Sequence, residues 1–212
     1  MNDDDDRTEL LYKVLVVGDM GVGKTSLIKR YVHNIFTPNY KATIGVDFGL
    51  KELHWEHNTI RVQLWDIAGQ ERFGNLTRVY YKEAVGALVV HDITKPDSLE
   101  AATKWKNDID HKVYLPDDTP IPCVLLCNKC DLPNRITRSQ AEMDKFCKDH
   151  GFINWFETSA KENRNVDEAC GFLIQKILEH DTNIPEEVRP VAPNAAFRLR
   201  EREHKNKKGG CC

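Results

Sequence analysis

Apolar residues recur along this chain in two rhythms. Short runs of five to seven apolar residues alternate with longer stretches whose apolar positions repeat every three to four residues. Leu10–Val17 and Gly86–Asp92 (GALVVHD) read as buried strands, as does Cys123–Cys127 (CVLLC). Asn154–Thr158 completes this set. Phe48–Trp55 and Ile60–Trp65 alternate apolar with polar residues, and Glu56–Thr59 (EHNT) between them suits a hairpin turn. Helical spacing covers Lys24 to about Asn34, Asp97 to about His111, Thr137–His150 and Val166–His180. The helix starts are placed at Asp97 or Ser98, at Thr137 and near Asn165. A shorter helix is predicted to end near Tyr81.

Strands alternating with helices predict an α/β, doubly wound fold. Six strands form a mostly parallel sheet with one antiparallel edge strand, and about five helices cover both faces. Ligands in such folds collect at the carboxyl ends of the strands. The polar motifs of this chain lie just after strands, so one pocket can gather them. Ile35–Phe48 is too polar and Pro-interrupted for a regular element and reads as a long functional loop.

The first of these motifs is GDMGVGKT, Gly18–Thr25, which fits G-x-x-x-x-G-K-[ST] between a strand and a helix. Gly18, Gly21 and Gly23 allow a tight turn whose N–H groups point inward at a phosphate. The loop feeds a helix N-terminus, which carries partial positive charge. Lys24 can reach the β- and γ-phosphates, and the Thr25 hydroxyl can bind Mg²⁺. The alternative is a glycine-rich turn before an ordinary helix.

Bulk composition narrows the class. The chain has 212 residues, 41% hydrophobic and 30% charged, with net charge −3. That suits one domain plus a tail and gives no sign of nucleic-acid binding. No stretch approaches the ~20 apolar residues of a membrane span. The acidic start, MNDDDDRTE, lacks the apolar segment of a secretory signal. Residues 1–9 are expected to be an acidic flexible N-terminus, 10–181 the folded domain, and 182–212 a flexible tail. Cys123, Cys127, Cys147 and Cys170 fall in apolar or helical patterns, as buried thiols do in a reducing compartment. Cys127 and Cys130 have thioredoxin-like spacing but close a strand instead of opening a helix. His33, His54 and His91 have no ligand-spaced partners and read as structural. Asn75–Thr77 matches a glycosylation sequon, which a cytosolic chain never uses.

Four more motifs follow the phosphate loop: Thr43 in KATIGVDF, Asp66 in DIAGQ, Asn128-Lys129-Cys130-Asp131, and Ser159-Ala160-Lys161. In this order and spacing, over residues 10–181, the set resembles the Ras-like small GTPases. TIGVDF, WDIAGQERF, the Tyr80-Tyr81 pair and the double-cysteine end resemble the Rab branch. IGVDFGLK and the isoleucine at Ile67 look like the Rab subgroup of lysosome-related organelles.

The resemblance implies a guanine nucleotide switch that hydrolyses GTP slowly without help. Gly21, Val22, Gly23, Lys24, Thr25, Ser26, Phe36, Tyr40, Thr43 and Gly69 would hold GTP or GDP, together with Asn128, Lys129, Asp131, Ser159, Ala160 and Lys161. Thr25, Thr43 and Asp66 would hold Mg²⁺ as cofactor, an ion suited to a sparse oxygen site. Gln70 would orient the attacking water, with Lys24 on the phosphates. Asp131 can accept from guanine N1–H and the 2-amino group, neither of which adenine offers. Ile44, Phe48, Trp65, Ile67, Phe73 and Tyr80 would form the effector surface, although core packing is the plainer account of the aromatic ones. Implied partners are an exchange factor, a GTPase-activating protein, a prenylation escort protein, a GDP-dissociation inhibitor and effectors, around a monomer.

The chain departs from the family at Met20, where Ras has glycine and many Rabs have serine. Cys211 and Cys212 follow a net basic stretch, Arg198–Lys208, with six basic and two acidic residues. They resemble the Rab end that accepts two geranylgeranyl groups, and two lipid chains anchor stably where one does not. The expected location is the cytoplasmic face of an organelle or vesicle, lysosome-related, endosomal or phagosomal by analogy, cycling with cytosol. An alternative is a GTP-binding recruitment scaffold in which hydrolysis is not essential.

Overall fold

The computed structural model describes residues 9–39, 41–55, 58–70, 77–133, 135–181 and 200–201. Its elements run β1 (Glu9–Val17), α1 (Lys24–His33), β2 (Val46–Trp55), β3 (Asn58–Ile67), α2 (Thr77–Tyr81), β4 (Gly86–Asp92), α3 (Pro96–Asp110), β5 (Cys123–Asn128), α4 (Gln140–His150), β6 (Asn154–Thr158), α5 (Val166–His180) and β7 (Arg200–Glu201). The sheet order is β6-β5-β4-β1-β3-β2-β7. β6, β5, β4, β1 and β3 pair in parallel. β2 is antiparallel to β3, from Trp55 opposite Asn58 to Val46 opposite Ile67. The expected six-stranded sheet and five helices are present. Beyond them, the two-residue β7 pairs antiparallel with Leu53 and His54 of β2. The acidic N-terminus lies outside the described residues except for Glu9, and so does the tail, residues 182–212, except for β7.

The strand rhythm of two sorts side chains between two layers. Val14 and Val16 of β1 join Leu27, Ile28 and Tyr31 of α1 and Leu173, Ile174 and Ile177 of α5. Leu15 and Val17 join Trp105 and Ile109 of α3 and Met143 and Cys147 of α4. β4 and β5 are buried along their whole length, which is why they read as continuous apolar runs. Among the described residues, no helix is long and apolar enough to cross a membrane.

Several boundaries differ from the sequence expectation; β3 runs Asn58–Ile67 where Ile60–Trp65 was expected, taking in Asn58 and Thr59 of the expected turn. β2 starts at Val46, earlier than Phe48, because the antiparallel ladder carries the loop's end into the sheet. α3 opens with Pro96 in its first turn, where a missing N–H costs nothing. α4 is capped by Ser139 and not by Thr137. The Ser139 hydroxyl accepts from the Glu142 N–H and Glu142 accepts from the Ser139 N–H, a reciprocal capping box.

Two contacts set how closely the layers approach. A Cβ at Gly49 of β2 would lie 2.6 Å from Cγ2 of Ile28, so glycine lets α1 sit against the sheet. Lys51, buried two residues on, donates to the Tyr31 carbonyl at 2.9 Å, in the last turn of α1 where a cation is favoured. Gly49→Ala is expected to lower stability by about 1–3 kcal/mol through overpacking. Urea unfolding at fixed ligand concentration measures it, and an unchanged midpoint would show that α1 has slack.

Candidate guanine nucleotide site

The carboxyl ends of β1, β3, β5 and β6 converge on one cavity of about 680 Å³. Its wall includes Gly21, Gly23, Lys24, Thr25, Ser26, Phe36, Thr43, Gly69, Gln70, Asn128, Lys129, Asp131, Ala160 and Lys161. The size falls within the usual range for small-molecule sites, about 300–1,000 Å³.

Between β1 and α1, Gly18, Gly21 and Gly23 all take positive φ. Gly23 shows why: at φ 104, a Cβ there would meet the Asn128 side-chain nitrogen at 2.3 Å. α1 begins without a side-chain cap, and its first turn lines the cavity. This geometry, a glycine loop leading into an open helix N-terminus, suits a phosphate. Lys24 lies in it, 5% exposed, donating to the Gly18 and Asp19 carbonyls at 2.8 and 2.9 Å. Burial pulls its ammonium down to about 8, against the opposing pull of Asp66 and Asp19. Val22 points its side chain into the core, so only its backbone belongs to the loop.

At the other end of the cavity, Asn128 donates to the Val22 carbonyl at 2.9 Å and accepts from the buried Thr158 hydroxyl. Lys129, at φ 69, donates to the Gly21 carbonyl at 2.8 Å and pairs with Asp92 at 2.7 Å. Burial pushes the Asp92 carboxyl up, but Lys129 and Thr94 outweigh it and hold it below the usual range. The Asp131 side chain is 6% exposed. Ser159, wholly buried behind it, donates to Oδ1 at 2.7 Å, and Lys161 lies 3.9 Å from Oδ2. A carboxylate fixed in this way suits a ligand edge with two adjacent N–H donors. Arg30 of α1 holds the Ser159–Lys161 loop by donating to the Ala160 and Lys161 carbonyls. Neither Arg30 nor Asp92 belongs to the motifs read from the sequence. An arginine one turn before a helix end carries no local signal of a partner 130 residues away.

The cation expectation can be tested on oxygen chemistry. The Thr25 and Thr43 hydroxyls lie 2.9 Å apart and both reach Asp66 Oδ2, Thr43 at 3.3 Å. Asp66 Oδ1 is buried and has no hydrogen-bond partner among the described residues. Burial pushes this carboxyl up, against Thr25, Lys24 and Thr43. A buried carboxylate short of donors, beside two hydroxyls and at the mouth of a phosphate cradle, fits a hard divalent cation such as Mg²⁺.

The two loops flanking this corner leave the sheet together. Ala68 N–H donates to the Gly45 carbonyl at 2.9 Å, one rung beyond Val46 opposite Ile67. A Cβ at Gly69 would stand 2.3 Å from the Met20 nitrogen, so this loop packs directly on the phosphate loop. The Gln70 amide lies 3.8 Å from the Met20 sulfur.

On the outer face, Ile44 is 93% and Phe48 61% exposed. Phe48 meets Trp65 edge-on at 4.6 Å. The Lys13 ammonium covers the Trp65 ring at 3.3 Å and donates to the Lys82 carbonyl, while Tyr80 is half-buried. Ile67 does not belong to this surface. It is completely buried among Leu15, Tyr81 and Val89, because it ends β3 on the α3 side of the sheet. Tyr40, Phe73, Cys211 and Cys212 lie outside the described residues. The five described cysteines are free and buried, Cys127 and Cys130 included. His91 is buried too, and burial pulls it down to about 4.

Comparison with known proteins agrees with this geometry. The Ras family profile matches residues 13–179. The Ras-related protein Rab-32 of Sus scrofa is 62% identical over 180 residues, covering 84% of this chain and 80% of that protein. Rab-32 of Homo sapiens is 60% identical over 184 residues, covering 86% and 82%. Rab-32A of Dictyostelium discoideum is 60% identical over 182 residues, covering 84% and 83%. The chain belongs to the Ras family of small GTPases, in its Rab branch beside the Rab-32 proteins: it binds guanine nucleotide, hydrolyses GTP and acts as a switch in membrane trafficking.

Proposed function

We propose that this chain is a Mg²⁺-dependent, membrane-attached Rab switch whose nucleotide is read by Asp131 and whose state is set at Thr43 and Gly69. The observation that carries the reading is the pairing of two chemistries across one cavity. A buttressed carboxylate stands at one end, and the Thr25, Thr43 and Asp66 oxygens with the Lys24 ammonium stand at the other.

Asp131 accepts the paired N–H donors of guanine, with Ser159 holding its angle. Lys129 and Phe36 flank the purine, and the Ala160 N–H faces O6. The phosphate-loop N–H groups and Lys24 hold the β- and γ-phosphates. Thr25, Thr43 and Asp66 would hold Mg²⁺, which would supply positive charge against the phosphates. Gln70 orients the attacking water. Thr43 and the Gly69 N–H sense the γ-phosphate and release both loops after hydrolysis. Exposed Ile44 and Phe48, with Trp65 and Tyr80 behind them, present the loop state to effectors. An exchange factor, a GTPase-activating protein, an escort protein and a dissociation inhibitor serve the cycle. Residues 10–181 form the GTPase domain. Residues 182–212 carry Cys211 and Cys212 as sites for two lipid chains, which hold the domain on the cytoplasmic face of an organelle or vesicle.

Nucleotide competition tests the core of this. GTP is expected to displace labelled GDP over ATP by roughly 10⁴-fold, and Asp131→Asn to shift GTP-over-XTP preference by on the order of 10³-fold. Equal competition by ATP, or an unmoved XTP ratio, would remove Asp131 from guanine recognition.

Proton linkage tests Lys24. The ammonium sits near 8 in the nucleotide-free site, and phosphate oxygens beside it raise that value. The bound form then holds more protons than the free form only above about pH 8. Calorimetry in buffers of different ionisation enthalpy should show uptake of up to one proton per nucleotide at pH 8.5 and none from this group at pH 6.5. Equal uptake at both would mean that Lys24 does not meet the phosphates.

The contact between Gln70 and Met20 tests the departure from the family. Met20 engages the amide that orients water and fills space beside the phosphates. Met20→Gly is expected to speed single-turnover GTP hydrolysis by about tenfold, the value of a roughly 1.4 kcal/mol lower barrier. An unchanged rate would leave Met20 as a bystander.

A further inference from the structure

We propose that Trp105 is a positioning residue for the phosphate loop: its indole N–H fixes Asp19 and, through Asp19, the main chain on which Lys24 rests. The inference rests on reading Gly18–Thr25 and Lys24 as the grip on the nucleotide phosphates.

Trp105 belongs to the buried stripe of α3, with Leu99, Ala102 and Ile109. That stripe packs in the layer that holds Leu15 and Val17 of β1, so Trp105 lies under the strand that leads into the loop. Its side chain is completely buried. A buried indole still carries a polar N–H that needs an acceptor. Here Nε1 donates to Asp19 Oδ1 at 3.4 Å, across 86 residues of sequence. A large ring packed on all sides has little room to shift, so it is a fixed post for whatever it bonds.

Asp19 faces two ways. Its carboxylate turns to α3, and its carbonyl accepts from Lys24 Nζ at 2.9 Å. The following peptide also carries the loop from β3: a Cβ at Gly69 would stand 2.6 Å from the Asp19 carbonyl carbon and 2.3 Å from the Met20 nitrogen. The Trp105 bond, the Lys24 ammonium and the Gly69 loop therefore meet at one peptide.

This peptide needs a tie because of its neighbours. Asp19 and Met20 lie between Gly18 at φ 143 and Gly21 at φ 76, two residues with wide torsional freedom. The second half of the loop is held at the Gly21 and Val22 carbonyls by Lys129 and Asn128. The Trp105 bond ties the first half to the helical layer. A plainer account is that Asp19 merely satisfies the indole. In that case losing the bond lowers stability and leaves the hold on nucleotide unchanged.

The test follows release of fluorescent GDP from the full chain in excess Mg²⁺, after addition of unlabelled GDP. Trp105→Phe keeps an apolar ring and removes the donor. Asp19→Ala removes the acceptor, and Asp19→Asn keeps an Oδ1 acceptor. Trp105→Phe and Asp19→Ala are each expected to release GDP about fivefold faster, and the double variant no faster than either, because all three lose the same bond. Asp19→Asn should stay within about twofold of wild type. Wild-type release in Asp19→Ala, equal release in Asp19→Ala and Asp19→Asn, or multiplied effects in the double variant would overturn the proposal. If Trp105→Phe does not fold, the two Asp19 variants decide alone. The assigned indole N–H resonance of Trp105 should move in Asp19→Ala and hold its position in Asp19→Asn, and an unmoved resonance in both would overturn the contact. Lys24→Ala separates the two readings. Faster release there beside wild-type release in Asp19→Ala counts against Trp105 alone, and unchanged release in Lys24→Ala counts against the phosphate grip itself.

Discussion

The site depends on one interlock between two loops that are 106 residues apart in sequence. The Asn128 amide rests on the Val22 carbonyl and occupies the space that any side chain at Gly23 would need. Lys129 adds a second tie to Gly21 and is fixed from behind by buried Asp92. Through this interlock the base end and the phosphate end of the cavity form one rigid body. Removing Lys129 would strand the buried Asp92 charge, which costs several kcal/mol in a site of this kind. The loop bearing Asp131 therefore cannot drift without disturbing the phosphate cradle. Recognition of the base and grip on the phosphates are mechanically the same property.

Much of this was legible in the sequence because each part leaves a local trace. Fully buried parallel strands appear as unbroken apolar runs, and β4 was bounded correctly on that signal. Gly23, Lys24 and Thr25 are readable because a phosphate cradle needs those residue types at fixed offsets. What the sequence did not disclose is pairing across long separations. Arg30 and Asp92 organise the site only through partners brought near by folding. The α4 cap was misplaced by two residues because Thr137 with Gln140 and Ser139 with Glu142 both fit the capping-box pattern, and the fold uses the second. Ile67 was assigned to the partner surface from its place in a motif, yet the strand period turns it inward. Any influence it has on partner choice passes through the packing of its neighbours.

The cysteines and histidines illustrate the converse. Cys127 and Cys130 have the spacing of a redox pair, but burial pushes both thiols up, away from the reactive thiolate. His91 lies beside Asp92 on β4, where burial keeps it neutral at ordinary pH. Spacing proposes a chemistry and environment decides it. On the outer face, the Lys13 ammonium covers the Trp65 ring and donates to the Lys82 carbonyl, which fixes Trp65 against Phe48 without a hydrogen bond from the indole to any described residue. A partner meeting that face finds a prearranged aromatic edge and pays little ordering entropy to use it.

The rung from Ala68 to Gly45 bears on how much information the molecule transmits. Two independent loops could occupy four combinations of positions, and a partner touching only one loop would learn nothing of the other. Because both loops leave the same final rung of the β2–β3 ladder, their positions are correlated at the source. The mixed combinations carry the added cost of breaking that rung. If both loops move as proposed, the output would be compressed toward a single bit, and a partner sampling either loop would read the same message.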